Sequence, residues 1–181
     1  MKTKRAGLTL PEVLVTLAII AVVAAVLVPA LTSQLTKGDA GRVSEDLKAV
    51  QTGIQAFVSD VRRYPKTINQ LSNAITTVQG DLVTTASYTA RHVSRWRGPY
   101  FVRDIEPADT DFETGYGGKV LTTLLSTTVT GTGGTYLGIE VSGLSPTERD
   151  QVDVVLDDGV SSSGLFRIIG NDTLYLAVVV Q

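Results

Sequence analysis

Residues 13–31 carry no charged side chain, and Thr16 is the one plainly polar residue among the first of them. Helical at ~1.5 Å per residue, this run is about 28 Å long. That is close to the ~30 Å hydrocarbon core of a bilayer. Nothing else in the 181 residues compares with it; residues 174–180, "LYLAVVV", are too short to span as a helix and read as a strand. A basic head, "MKTKR", precedes the run, and a single carboxylate, Glu12, stands at its entrance. Any fold for this chain has to account for an apolar rod with an acid at its front.

An ordinary secretory signal fits poorly, because such signals have an apolar stretch of ~7–15 residues and a small-residue cleavage site after it. Here the stretch is longer, and a helical pattern continues beyond it. An uncleaved single-pass anchor fits better, with Lys2, Lys4 and Arg5 holding the N-terminus on the cytoplasmic side. It leaves Glu12 unexplained, since carboxylates in membrane segments are rare, costly and usually paired.

The stretch "AGLTLPE", residues 6–12, resembles the prepilin cleavage motif of type IV pilins and their pseudopilin relatives. The resemblance implies that a prepilin peptidase cuts after Gly7, ahead of the apolar run, so that the anchor survives. Leu8 becomes the new N-terminal residue and is N-methylated, although the family usually has phenylalanine there. Glu12 then falls fifth in the mature chain and Pro29 twenty-second, both positions where the family keeps those residue types. Cutting creates an α-amino group with a reference pKa of ~7.7–8.0. In staggered copies that amine of Leu8 can meet Glu12 of a neighbour, relieving a carboxylate that lipid disfavours by several kcal/mol. The competing reading of Glu12 is an acid at a helix N-terminus, favoured by the helix dipole.

Beyond the apolar run, Val43, Leu47, Val50, Ile54, Phe57 and Val61 recur three and four residues apart, one face of an amphipathic helix. Pro29 lacks an N–H and is expected to loosen or kink the helix a turn earlier. Gly38, Gly41 and Gly53 weaken it locally, and Pro65 is expected to end it, giving one long helix over 8–63. A short second helix is expected in 67–77, and mostly loop in 78–118. The segments "KVLTTLLSTTVTG" and "GTYLGIEVSGL" read as strands joined through "GTGG" at 131–134. "SPTE" at 145–148 is a capping box with Pro146 in the first helical position, opening a helix to about Leu156. "LFRII", "GND" and "TLYLAVVV" read as a closing hairpin. The expected fold class is α+β: a long N-terminal helical spine, its first half membrane-spanning, packed on a small C-terminal antiparallel sheet. The expected divisions are a leader at 1–7, a transmembrane and filament-core helix half at 8–31, an amphipathic half at 32–63 and a globular head at 64–181. This order also resembles the pilins. "RRYPKTINQL" (62–71) followed by "WRGPYF" (96–101) is similar to the major pseudopilin of type II secretion, where such a tryptophan-to-tyrosine motif packs a loop onto the sheet. "LDDGVSSSGLFR" (156–167) also occurs among pilin-like proteins, and no chemistry is attached to it here.

Composition narrows the remaining chemistry. There is no cysteine, so disulfides and thiolate metal sites are out. The formal charge is −2; residues 1–7 hold three of the 16 basic residues and none of the 18 acidic ones, so the rest stands at −5. A general DNA-binding domain would be basic. Arg91, Arg95, Trp96 and Arg97, with Arg103, His92, Tyr100 and Phe101 nearby, interleave bases with aromatics, a pattern that can hold single strands. The plainer reading is that the aromatics anchor a loop, so nucleic acid is not expected as a partner. Asp104, Glu106, Asp109, Asp111 and Glu113 crowd one loop, and hard cations such as calcium take six to eight oxygens. The related pseudopilins carry a calcium site in a nearby loop, but no ligand-for-ligand match exists here, and a solvated acidic loop is the plainer reading. Asp153, Asp157 and Asp158 look weaker still. "GYGGK" is too short and misplaced for a P-loop. No catalytic set is visible, so an enzyme is not expected and no cofactor is required beyond that calcium option.

These readings converge on a subunit of a type IV pilus or type II secretion pseudopilus. Its expected partners are copies of itself and other pilins in a helical filament, the prepilin peptidase, an inner-membrane assembly platform and the membrane. The precursor would lie in the bacterial cytoplasmic membrane, N-terminus inside, and the mature form in an extracytoplasmic filament. The competing class is a membrane-anchored extracytoplasmic binding or sensor domain that never polymerises.

Overall fold

The computed structural model describes residues 9–128, 134–169 and 172–180. Helix α1 runs from Leu10 to Val61. Short helices α2 (Asn69–Ser72) and α3 (Ala90–Val93) follow, then strand β1 (Asp111–Glu113) and a single 3₁₀ turn at Gly115–Gly117. The chain closes with β2 (Lys119–Thr128), β3 (Thr135–Ser142), α4 (Pro146–Leu156), β4 (Phe166–Ile169) and β5 (Asp172–Val180). The five strands form one antiparallel sheet in the order β1-β2-β3-β5-β4. This is an α+β, pilin-like architecture, a long helix whose second half packs on a small sheet.

The chain divides into two compact units, Met1–Lys37 and Gly38–Gln181. In the first, the described side chains are almost all exposed: Leu10, Leu17, Val22, Val26 and Leu31 present well over half their surface. This part of α1 is long and apolar enough to cross a membrane. The helix continues through Pro29, in line with the one long helix expected. Pro29 cannot donate to the turn before it. Just after it, Thr32 Oγ1 donates to the Pro29 carbonyl at 2.9 Å and the Val28 carbonyl at 3.3 Å, tying this turn by a side chain.

The second unit is built around the apolar stripe of α1. Val43, Leu47, Val50, Ile54, Phe57 and Val61 all have 0% exposure, as the three-and-four spacing requires. They meet Val120 and Leu124 of β2, Leu137, Ile139 and Val141 of β3, and Tyr175 and Ala177 of β5 in one core. At roughly 1.5–3 kcal/mol for each large apolar side chain buried, the stripe is the main attraction between helix and sheet. Gln51 fixes the register of that contact: its Nε2 donates to the Ala177 carbonyl at 2.5 Å, and its Oε1 accepts from Tyr175 Oη at 2.8 Å. α1 ends at Val61, where Arg62 takes a left-handed φ of 62°.

The helix expected in 67–77 is confined to Asn69–Ser72, because its polar side chains serve the following loop instead. Asn69 Nδ2 donates to the carbonyls of Glu106, Pro107 and Asp109, Ser72 Oγ to that of Phe101, and Asn73 Nδ2 to that of Ile105. Asn and Ser compete with helical hydrogen bonding in this way. The capping box before α4 forms as read: Ser145 N donates to Glu148 Oε2 at 2.7 Å, and the Ser145 side chain accepts from the third helical N–H. The β2–β3 and β4–β5 pairs lie where strands were expected, while most of the joining "GTGG" and the first two residues of "GND" fall outside the described residues.

Candidate functional site

At the front of α1, Thr9 takes the N-cap place and Val13 N donates to its carbonyl at 3.2 Å, opening the helix. Glu12 folds back on this cap: its Oε2 accepts from Thr9 N at 2.9 Å and from Thr9 Oγ1 at 2.8 Å. The N-cap N–H is one of the donors a helix start leaves orphaned, and a Glu three residues on satisfies it. Thr9 was not singled out by sequence, although a Thr three residues before a Glu is the usual signal. Gly7 and Leu8, where cutting and methylation were expected, lie outside the described residues. Pro29 sits within the exposed apolar half, as described above.

The five acids of the 104–113 loop are not drawn into one ligand set. Asp109 Oδ2 accepts from Glu106 N at 2.8 Å, closing the turn. Asp111 pairs with Lys119 at 3.1 Å across the β1–β2 ladder. Glu113 uses its backbone carbonyl to accept from Arg103. Asp104 and Glu106 lie outside any close grouping of acids among the described residues. The carboxylates that do converge are Asp153, Asp157 and Asp158, whose oxygens lie within 4.8 Å of one another.

The basic and aromatic loop is committed to the spine. Trp96 Nε1 donates to the Gln70 carbonyl at 3.0 Å, and its ring meets Tyr100 edge-on at 5.7 Å. Tyr100 N donates to the Leu71 carbonyl at 2.8 Å, and Tyr100 Oη to Asp60 Oδ2 at 3.0 Å. Tyr100 also meets Phe57 edge-on at 5.7 Å. So Trp96 and Tyr100 of this motif pack onto α1 and α2, while Phe101 meets Phe112 of β1 at 5.8 Å, which brings the loop onto the sheet as the resemblance implied. Gly53 makes room for it: a Cβ there would stand 3.0 Å from the Tyr100 carbonyl oxygen. Arg91 and Arg97 are exposed and Arg95 is half-buried. Burial holds the His92 imidazole below its ordinary pKa, and Arg63, Arg95 and Arg91 press the same way against the nearby Asp81.

One pairing that the sequence hid centres on Asp46. It lies on the polar side of α1, where it reads as a solvated acid. Its Oδ1 meets Arg103 Nη1 at 3.0 Å and its Oδ2 accepts from Thr114 Oγ1 at 2.6 Å. Arg103 in turn lies 4.3 Å over the Phe112 ring. Together they clamp the acidic loop and β1 to the helix.

Residues 2–28 match a family model described as the prokaryotic N-terminal methylation motif. No curated protein and no solved structure matches the chain. The chain therefore carries the prepilin-type signal of type IV pilins and pseudopilins, on a pilin-like α+β fold. It is a pilin- or pseudopilin-like precursor, and its apolar N-terminal helix fits a membrane-anchored one.

Proposed function

We propose that this chain is a structural subunit that polymerises into a type IV pilus or type II secretion pseudopilus once the prepilin peptidase has cut between Gly7 and Leu8. The observation that carries the reading is a carboxylate, Glu12, at the head of a helix half with no burial of its own. That apolar surface needs a cover. Lipid supplies it for the precursor, and the same half of other copies supplies it in a filament, at little cost because the two surroundings are alike in polarity. A contact that repeats without closing into a ring builds such a filament. Pairing of Glu12 with the Leu8 amine of a neighbour sets the stagger, since an unpaired charge in the apolar bundle is strongly disfavoured. The globular units face outward, and the subunit itself does no catalysis. The precursor sits in the cytoplasmic membrane with its basic head inside, and an assembly platform with its own energy source extracts it.

The Thr9 cap favours a second reading, in which Glu12 only starts the helix and the protein stays a tethered, solitary domain. Glu12→Gln separates the two, because glutamine keeps a cap acceptor and loses the charge. The filament reading expects Glu12→Gln and Glu12→Leu to insert in the membrane and to yield few or no filaments by electron microscopy. Wild-type filament yield from Glu12→Gln would leave the cap as the whole role of this residue.

A further inference from the structure

We propose that the free edge of β5 and the groove beside it bind an extended peptide strand, apolar along its length and carrying a carboxylate at one end. On one side β5 is paired with β3 from Thr173 to Val180. On the other side β4 reaches only Asp172 to Tyr175, and Leu176 N then donates to the Leu165 carbonyl at 2.7 Å. Gln51 Nε2 takes up the Ala177 carbonyl next. Among the described residues, no backbone partner stands on this side of Val178, Val179 or Val180. In an extended strand every second residue turns its N–H and C=O that way. The backbone of another strand satisfies such an edge. The other edges of the sheet are covered or charged. Beside β4, Ile168 N donates to the Ser161 carbonyl at 3.2 Å, and β1 is three residues long with Asp111 and Glu113 in it. From Thr173 to Val180 there is no charge at all.

The groove alongside this edge holds about 470 Å³ and brings Gln55, Val58, Ser59 and Arg62 opposite Val178 and Val179. Val179 is 50% exposed, so half of an apolar side chain is left for a partner to cover. The Gln55 and Ser59 side chains are exposed and make no hydrogen bond among the described residues. Arg62 takes part in none of the ion pairs among the described residues. Gln51 meets Ala177, and Arg62 follows about three turns later. The cation therefore stands past the valines, at one end of the groove. Each feature selects something in the occupant. Unmet strand groups call for an extended backbone. The valines call for apolar, β-branched side chains at alternate positions. An unpaired guanidinium calls for a carboxylate at its end of the strand. A second copy of β5 meets the first two demands, but it has no acid between Thr173 and Val180 to answer Arg62. The groove lies wholly within the globular unit, so it does not depend on polymerisation.

The test uses the full chain purified in detergent. The probe is a peptide of about six residues, alternating threonine and valine and closed by aspartate, with an N-terminal fluorescein and an amidated C-terminus. Fluorescence anisotropy is expected to give a Kd of about 10–500 µM, as suits one short added strand. A central proline in the peptide, which cannot donate to a ladder, should weaken binding about tenfold or more. Lysine in place of the aspartate should weaken it roughly fivefold, and Arg62→Glu should reverse that preference. Ser59→Arg, which fills the groove, should abolish binding. Arg62 and Ser59 are both exposed, so these variants keep the fold. Amide hydrogen exchange should slow at residues 178–180 on binding and stay unchanged in β1. Absence of binding would overturn the proposal. So would equal binding of the proline peptide, an unchanged preference in Arg62→Glu, or binding that leaves exchange at 178–180 as it was. A dimer by light scattering whose 178–180 amides are protected without peptide would also overturn it, making a second copy the occupant.

Discussion

Truncating one apolar side chain in each half of α1 should give opposite results. Phe57 has 0% exposure and meets Tyr88 edge-on at 6.3 Å and Tyr100 at 5.7 Å. Phe57→Ala removes a ring from a closed core, which costs about 3–5 kcal/mol including the cavity left behind. Against a total stability of roughly 5–15 kcal/mol, that is a large share. For a chain of this size, ~1 kcal/mol moves the midpoint by about 2–4 °C, so the fall should be roughly 6–20 °C. Leu17 lies on the same helix, in the first unit, at 57% exposure. Leu17→Ala should leave the unfolding of the second unit within about 0.5 kcal/mol of wild type. Trp96, the one tryptophan, reports on the right place, since it contacts Tyr100 and bonds Gln70. The assay is therefore thermal unfolding of the full chain in detergent, followed by tryptophan emission. A Phe57→Ala midpoint equal to wild type, or a Leu17→Ala shift of the same size as that of Phe57→Ala, would refute the division of labour along the helix.

Three smaller effects follow from contacts elsewhere in the globular unit. Ser145→Ala removes the cap of α4 and should cost about 1 kcal/mol in urea unfolding, with Ser145→Asp restoring most of it. Tyr100→Phe should cost about 1 kcal/mol, because the hydroxyl joins Arg97 N to Asp60, and a double-mutant cycle with Asp60→Asn should show the two losses coupled. The His92 imidazole is held below its ordinary pKa, so the folded state prefers it neutral. Its contribution is present above the unfolded value of about 6.5 and fades as pH falls through the lower folded value. Between wild type and His92→Gln, the difference in unfolding midpoint should therefore shrink on acidification below about pH 6.5.

Where a residue's role follows from periodicity or from its own local backbone, it was legible in the chain. The stripe from Val43 to Val61 and the Ser145–Glu148 cap are of this kind, and both stand as read. Pro29 lies inside the one long helix that the chain's pattern implied. Roles that depend on distant partners were hidden. Asp46 gives no sign in its own neighbourhood that Arg103 and Thr114 will come to it, 57 and 68 residues on. Gly53 looked like a weak point in a helix, and its use shows only once Tyr100 lies against it. The acids misled in a similar way. Crowding along the chain drew attention to 104–113, whereas the convergence at Asp153, Asp157 and Asp158 needs a helix end and a loop closing back on it. At the N-terminus the motif was readable because its residues lie along one short stretch of chain.

The most direct measurement is the intact mass and N-terminal fragment spectrum of the protein isolated from its native membranes or fibres. The account predicts a chain that begins at Leu8, lacks residues 1–7 and carries one added methyl group on its terminal amine. A native polypeptide that still begins at Met1, or one cut after the apolar run, would contradict it.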